Sequence, residues 1–566
     1  ANAVVQLNST LFSFLDNQRQ VHGGVVHEFD RLKIDYDANY NHSKPLLQSS
    51  YRDGNAGGGV FTMEARSVGW TFDKSQSAAN PAFGQTGGPS IFDVASYTNG
   101  ILNNRNNKRF TTLVNASANA TYTLPTSFAS TIKTGVRYIG SRIEEVGGDR
   151  RWNYIGTGNL GAFVNRGLEL SYADEVGGNL PFVESSAVAA DIRNNPQNWR
   201  EDLYYATERT YVGTRSLEEK VTAAYLQGNA RLGRLSVLAG VRAERTEVST
   251  DGYLPARVRT TTAERTADPV GSANKDYSAG RTLKEGDYTD VYPGVHLVYK
   301  FTPSLQSRVS WSNSIGRPPG GDLLPSLSFN DTAQTVRTSN PALKPQYAEN
   351  WDVTLEYYFE PVGQLSFGVF RKDISDFLVD VSGGTIGAGS NNGFNGEFAG
   401  YELRSPGNGG FARIEGWEFN YQQQFSFLPG IWRGLGLGVN YTKLTTEGDY
   451  GEVGPRSTPN VARFVPETGN VRLTYSYRKF GFNALYNYVG PTLWDYSATA
   501  ARLRYRDARE TVNLGFTYRH RPGLTVFVDA ANVFNTPQEY YRGVTDRTER
   551  VTFNGTALVF GISGAF

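Results

Sequence analysis

The sequence predicts an all-β fold: a large antiparallel transmembrane β-barrel with short turns on one rim and long loops on the other. Three observations predict it. Apolar and polar side chains alternate with a period of two in segment after segment. The links between those segments are alternately short and long. The chain also carries 33 Tyr, 32 Phe and 62 Gly without any run of about eighteen apolar residues, so a membrane-spanning helix is excluded on length while a spanning strand of about ten alternating residues is not.

The segments justify the reading one by one. Val295, Leu297, Tyr299 and Phe301 share one face of a strand that carries His296 and Lys300 on the other. From Trp351 to Glu360 every odd position is apolar or aromatic, and the even ones are Asp352, Thr354, Glu356, Tyr358 and Glu360. Burying that polar face in a dry core would strand its carboxylates, so it must be wet. Val471 to Arg478 repeats the pattern with Arg472 and Arg478, and the stretches from Leu365, Phe482 and Val512 continue it. In the last segment Leu558, Phe560, Ile562 and Phe566 lie on one face and mostly small residues on the other, as suits a wall between lipid and a crowded, partly wet interior. Val25 to Ser43 and Arg109 to Val146 fit the alternation less cleanly.

Links such as Phe301–Ser304, Phe359–Gly363, Tyr477–Gly481 and Tyr518–Gly523 span a few residues, several with the Pro and Gly that tight turns require. The intervening links are long: Arg142 to Leu217, Arg317 to Lys344, Asp373 to Gly410, Thr442 to Arg463, Gly490 to Ala508 and Asn535 to Glu549. Short periplasmic turns and long extracellular loops are the asymmetry of bacterial outer-membrane barrels. Counting segments at the usual strand length gives roughly sixteen to eighteen strands.

Composition closes other classes. With 56 Lys+Arg against 55 Asp+Glu, no general nucleic-acid surface is expected. The absence of cysteine removes disulfides, thiolate metal sites and thiol nucleophiles. Residues 1 to 6 have neither a charged start nor an apolar core, so the amino end reads as a processed or truncated edge.

From about Ser216 onward the motifs resemble a TonB-dependent outer-membrane receptor. They are Asp290-Val291-Tyr292-Pro293-Gly294-Val295, Gly316-Arg317-Pro318-Pro319, Asn340-Pro341-Ala342-Leu343-Lys344-Pro345, Asp529-Ala530-Ala531-Asn532-Val533-Phe534-Asn535 and the terminal Phe566. The resemblance implies a bacterial outer-membrane location, twenty-two strands in the complete protein, and Phe566 as the barrel-assembly signal. It also implies import of a scarce nutrient, glycan-derived or a ferric siderophore, with energy passed from TonB to an amino-terminal plug. No plug or TonB box is visible and the first few barrel strands are missing from the count, so residues 1–566 are expected to be the carboxy-terminal, barrel part of a larger receptor. Its expected partners are outer-membrane lipid, TonB through that plug, a small-molecule or oligosaccharide ligand, and surface or periplasmic proteins. A passive porin-like channel and a hydrolase in the barrel wall are the alternatives; no enzyme and no cofactor is expected.

Candidate ligand contacts lie in the long loops: Arg151, Trp152 and Tyr154, then Trp199, Tyr204 and Tyr205, then Trp494 and Tyr496, then Tyr540 and Tyr541. Aromatic faces stack on sugar rings or aromatic siderophores, and arginines pair with carboxylate or phosphate. The competing reading is that such aromatics form interfacial girdles or pack loops together. Arg308, Asp352, Glu356, Arg472 and Arg478 are expected to face the lumen or a plug. The glycine spacing at 156–161 follows no buried strand and reads as a loop. His22 and His27 fall on opposite strand faces, and the remaining histidines are isolated, so no metal site is expected.

Overall fold

In the computed structural model, alternation becomes strand wherever one flank is apolar and the other polar. The structure describes residues 3–48, 59–75, 82–165, 167, 178–256, 259–278, 280–324, 326–330, 333–340, 343–392, 394, 396, 398–449, 457–497 and 499–564. Among the described residues seventeen strands form the barrel wall. In chain order they are β1 (Ser13–Glu28), β2 (Leu32–Gln48), β3 (Asn106–Thr123), β4 (Ser130–Val146), β5 (Arg215–Leu232), β6 (Leu235–Tyr253) and β7 (Arg281–Lys300). There follow β8 (Leu305–Gly316), β9 (Gln346–Phe359), β10 (Gly363–Ser375), β11 (Phe411–Gln424), β12 (Leu435–Gly448), β13 (Glu467–Tyr477), β14 (Phe480–Val489), β15 (Arg509–Arg521), β16 (Leu524–Ala531) and β17 (Ala557–Gly564). Each pairs antiparallel with the next. The irregular early stretches are therefore full wall strands, β1 to β4.

The two flanks have different surroundings. On β9, Trp351, Val353, Leu355 and Tyr357 are 46%, 43%, 48% and 44% exposed, as a lipid-facing row should be outside the bilayer. Trp311 packs on Trp351, and Trp417 on Tyr441, near the long-loop ends; Tyr357 meets Phe359, and Phe480 meets Tyr518, near the turns. From Trp351 to Phe359 the strand rises ~27 Å at ~3.4 Å per residue, close to the ~25 Å apolar band of outer-membrane barrels. On the inner flank Glu356 accepts hydrogen bonds from Arg308 Nε (2.7 Å), Gln306 Nε2 (2.7 Å) and Tyr358 Oη (2.8 Å). Asp352 stands beside Ser310 and Arg472 faces inward on β13. Arg478 differs from expectation: it occupies the tight turn after β13 with φ 53° and lies over the Tyr477 ring, because the strand ends one residue earlier. Phe566 lies outside the described residues.

The wall has two heights. β1 to β7 are 16 to 20 residues long, whereas β8 to β17 are 8 to 14. Above the tall half sits a six-stranded sheet built from 3–10, 60–73, 82–87, 98–104, 150–154 and 199–201. Its core is Phe61, Met63, Leu102, Trp152, Trp199 and, from helix α1 (Ser185–Asn194), Val188. Helices α2 (Leu203–Gly213), α3 (Thr262–Ala267) and α4 (Pro269–Asp276) pack beside it. The low half carries two four-stranded sheets: 327–330, 335–338, 402–408 and 378–385, then 492–495, 504–506, 538–542 and 548–552.

Candidate ligand-binding site

The loop aromatics divide into two groups with different fates. In the cap, Trp152 and Trp199 retain only 7% and 6% exposure. Trp199 donates its indole N–H to Asp191 Oδ2 at 2.8 Å, and Tyr154 meets it edge-on at 5.0 Å. These three rings are committed to the cap core, which leaves them little surface to offer a ligand. Tyr204 donates its hydroxyl to Asp276 Oδ2 (2.6 Å), joining α2 to α4. Burial, with that carboxylate beside it, pushes its pKa well above the ordinary phenol range. Arg151 lays its guanidinium on the Tyr205 ring at 3.8 Å while donating to Asn103 Oδ1 at 2.9 Å. The sequence placed these six residues in one loop; the fold uses most of them to bind that loop to its neighbours.

The second group stays at the rim of the low half and is half-buried. Trp494 and Tyr540 pack edge to face at 5.7 Å, and Tyr541 stacks on Tyr505 at 5.2 Å. Tyr496, just beyond the 492–495 strand, is half-buried too. Arginines cover these rings: Arg463 lies 4.1 Å and Arg506 5.0 Å from the Trp494 centroid, and Arg504 lies 4.5 Å from that of Tyr540. Asp495 accepts from Arg463 (2.5 Å) and Arg504 (3.2 Å), and Glu549 accepts from Arg504 (2.8 Å) and Arg542 (3.0 Å). Among the described residues Arg506 has no carboxylate partner. Burial raises the pKa values of Tyr505 and Tyr541, and burial with Asp507 nearby raises that of Glu539.

Sequence reasoning missed Arg463, Arg504 and Arg506. The signal was present in Arg502-Leu503-Arg504-Tyr505-Arg506, whose period of two places Arg504 and Arg506 on one side of a short strand. Lys74 reaches from the cap to Asp546 O (2.5 Å) and Thr548 Oγ1 (3.1 Å), tying the two groups together. A cluster of aromatic rings overlaid by guanidinium groups suits a ligand with flat surfaces and acidic groups. Among the described residues no cluster of His, Asp and Glu has the arrangement of a metal site.

A family model described as TonB dependent receptor-like, beta-barrel matches residues 13–533. The unliganded crystal structure of the ferric citrate transporter FecA is similar with a TM-score of 0.54 at 12% identity, over 97% of this chain and 61% of that one. The closed form of the ferric-catecholate import receptor Fiu from K12 E. coli is similar with a TM-score of 0.52 at 13% identity, over 94% of this chain and 65% of that one. At such identities the likeness is one of fold, and the chain spans less than two thirds of the length of either structure. No curated protein matches this chain.

Proposed function

Because the chain belongs to the TonB-dependent receptor β-barrel family of the bacterial outer membrane, we propose that it forms the channel of an active importer for a scarce small molecule. The proposal includes a plug and a TonB contact carried by sequence beyond these 566 residues, in keeping with a chain that spans 61% of the FecA structure. Its work is binding and release, not bond-making. A ligand held by loops and plug would let go when TonB pulls, because the pulled state binds it less tightly.

The observation that carries this reading is the cluster of arginine-covered aromatic rings at the rim, above a bore lined by polar groups. Arg506, which rests on the Trp494 ring and has no carboxylate partner among the described residues, can meet an anionic group, and the guanidinium faces laid over Trp494 and Tyr540 can stack on a flat one. Glycan-derived acids and ferric chelates of hydroxy-acids or catechols both have that chemistry. In cells producing the full-length receptor, uptake of the nutrient should stop when TonB is deleted. Replacing Arg506 by Ala should weaken ligand binding by ~10–100-fold, the equivalent of the ~1.5–3 kcal/mol of one charged hydrogen bond. Uptake that persists without TonB, or a large open conductance of the full-length protein in planar bilayers, would replace the importer with a passive channel.

A further inference from the structure

The step between the two wall heights lies at β7 and β8. Their pairing runs from Lys300 opposite Gln306 to Gly294 opposite Ser312; above that rung β7 continues to Arg281 beside β6 alone among the described pairings. Three clefts follow one another along this step. The uppermost, of about 350 Å3, is lined by Thr250, Tyr288, Pro318 and Tyr347. The middle one, of about 550 Å3, is lined by Asp290, Tyr292, Ser314 and Tyr347. The lowest, of about 380 Å3, is lined by Tyr225, Arg242, Tyr292 and His296. Tyr347 is common to the first two and Tyr292 to the last two, so the clefts are consecutive.

Tyr288, Asp290, Tyr292 and His296 alternate along one strand and therefore share its inner face. Tyr288 Oη, Asp290 Oδ2, Tyr292 Oη and, from β6, Thr250 Oγ1 are shielded from solvent and have no well-formed protein hydrogen bond among the described residues; Tyr288 lies within looser reach of Thr246 and Arg317, and Asp290 of Tyr347. Buried polar groups are ordinarily paired, and those that are not mark places where something else completes them. Nearby cations are already engaged: Arg317 by Glu244 (2.6 Å), Arg242 by the same carboxylate (2.5 Å), and Arg413 by Asp373 (2.6 Å).

We propose that this ladder is a transit track for a hydroxyl-bearing ligand, running down the inner face of β7 from the loops toward mid-bore. The proposal rests on the import reading and deepens it. Ligand hydroxyls donate to Asp290 and exchange donor and acceptor roles with the tyrosine hydroxyls, rung by rung. A ligand dense in negative charge is disfavoured beside Asp290, which no cation pairs among the described residues, so of the two chemistries suited to the rim the track favours the glycan-derived one with its many hydroxyls. A metal ion is disfavoured because the oxygens are strung out at ~7 Å intervals along a strand and do not converge. Several weak sites in series suit passage, which requires binding loose enough to let go.

These 566 residues hold no cysteine, so with any thiol elsewhere in the receptor first replaced by serine, one introduced thiol is the sole reporter. His296→Cys places it at the foot of the track and leaves Tyr288, Asp290 and Tyr292 in place. In the purified full-length receptor, raffinose should slow maleimide labelling of that thiol several-fold, and adding Asp290→Asn or Tyr292→Phe should remove the protection. Folding of each variant is checked by heat-modifiable migration. A thiol at Asn470, on β13, should gain no protection. The track is overturned if raffinose fails to protect, if it protects Asn470→Cys equally, or if citrate or putrescine protects where raffinose does not. Raffinose protection combined with TonB-independent uptake in cells would instead sink the import reading and leave the track standing.

Discussion

The tall and low halves of the wall obey one alternation code and differ in what covers them above the membrane. Within the bilayer both put apolar rings outward and polar groups inward. Beyond it, lipid no longer takes the apolar side chains, and a strand that keeps rising must find another place for them. On the tall side Leu217, Ile143 and Val248 find it against Leu323, Leu324 and Leu343 from the chain after β8, while the cap above keeps a core of its own in Phe61, Met63, Leu102, Trp152 and Trp199. The low side stops early, and its smaller cluster of Ile374, Phe377, Ala412 and Ile414 closes against Val461 and Phe464. The deepest burial in the described molecule is thus extracellular, whereas the membrane zone shows its apolar residues on the outside.

If the cap is held by its own core and the wall by lipid, each should fail without the other. Trp199→Ala removes an indole from the core together with its bond to Asp191, at a cost of ~3–5 kcal/mol. The expected outcome is proteolysis within 60–104 and 150–201 while the heat-modifiable barrel band persists; loss of both together would erase the distinction. Leu355→Arg places a charge on the lipid face of the low wall at ~2–4 kcal/mol. It should lower barrel yield and urea resistance in vesicles without exposing the cap to protease.

At the step, Arg317 crosses from the end of β8 to Glu244 on β6 and acts as a side-chain clasp where ladder bonds are missing. Arg317→Ala should cost ~1–3 kcal/mol, since it leaves a largely shielded carboxylate with one donor fewer. Amide exchange should accelerate in 281–293 and remain slow in 294–300. Uniform exchange across β7 would mean the step is not a mechanical boundary.

The period of two, the turn residues and the loop asymmetry made the wall legible, because each strand reports its two environments residue by residue. The cap was not legible. Its six strands come from three separate stretches of chain, and Trp152, Trp199 and Val188 meet only in three dimensions. A loop tryptophan looks the same in sequence whether it meets a sugar or a phenylalanine, so the aromatics were visible while their division between core and rim was not. Arg317 was visible as a motif residue, but its role depends on where β7 and β8 part. Arg478 was misplaced by one residue, the margin that separates a strand end from a turn.

The smallest expected effect opposes the crowns of the two halves through pH. Glu264 on the tall side accepts from the Thr261 backbone N–H (2.7 Å) and Lys275 Nζ (3.0 Å), which lowers its pKa from 4.5 to about 2. A carboxylate depressed by folding stabilises above its unfolded pKa, and that contribution is lost as pH falls from 4.5 toward about 2. Glu539 on the low side is shifted upward by burial and by Asp507. Its ionised form is disfavoured by folding, so acidification through its raised pKa relieves a strain instead of creating one. As pH is lowered, amide exchange should therefore quicken in α3 and the start of α4 and slow in 538–542, after correction for intrinsic rates. Glu264→Gln should abolish the first trend and Glu539→Gln the second. Parallel trends in both crowns would mean that pH acts through the protein's total charge, not through these two carboxylates.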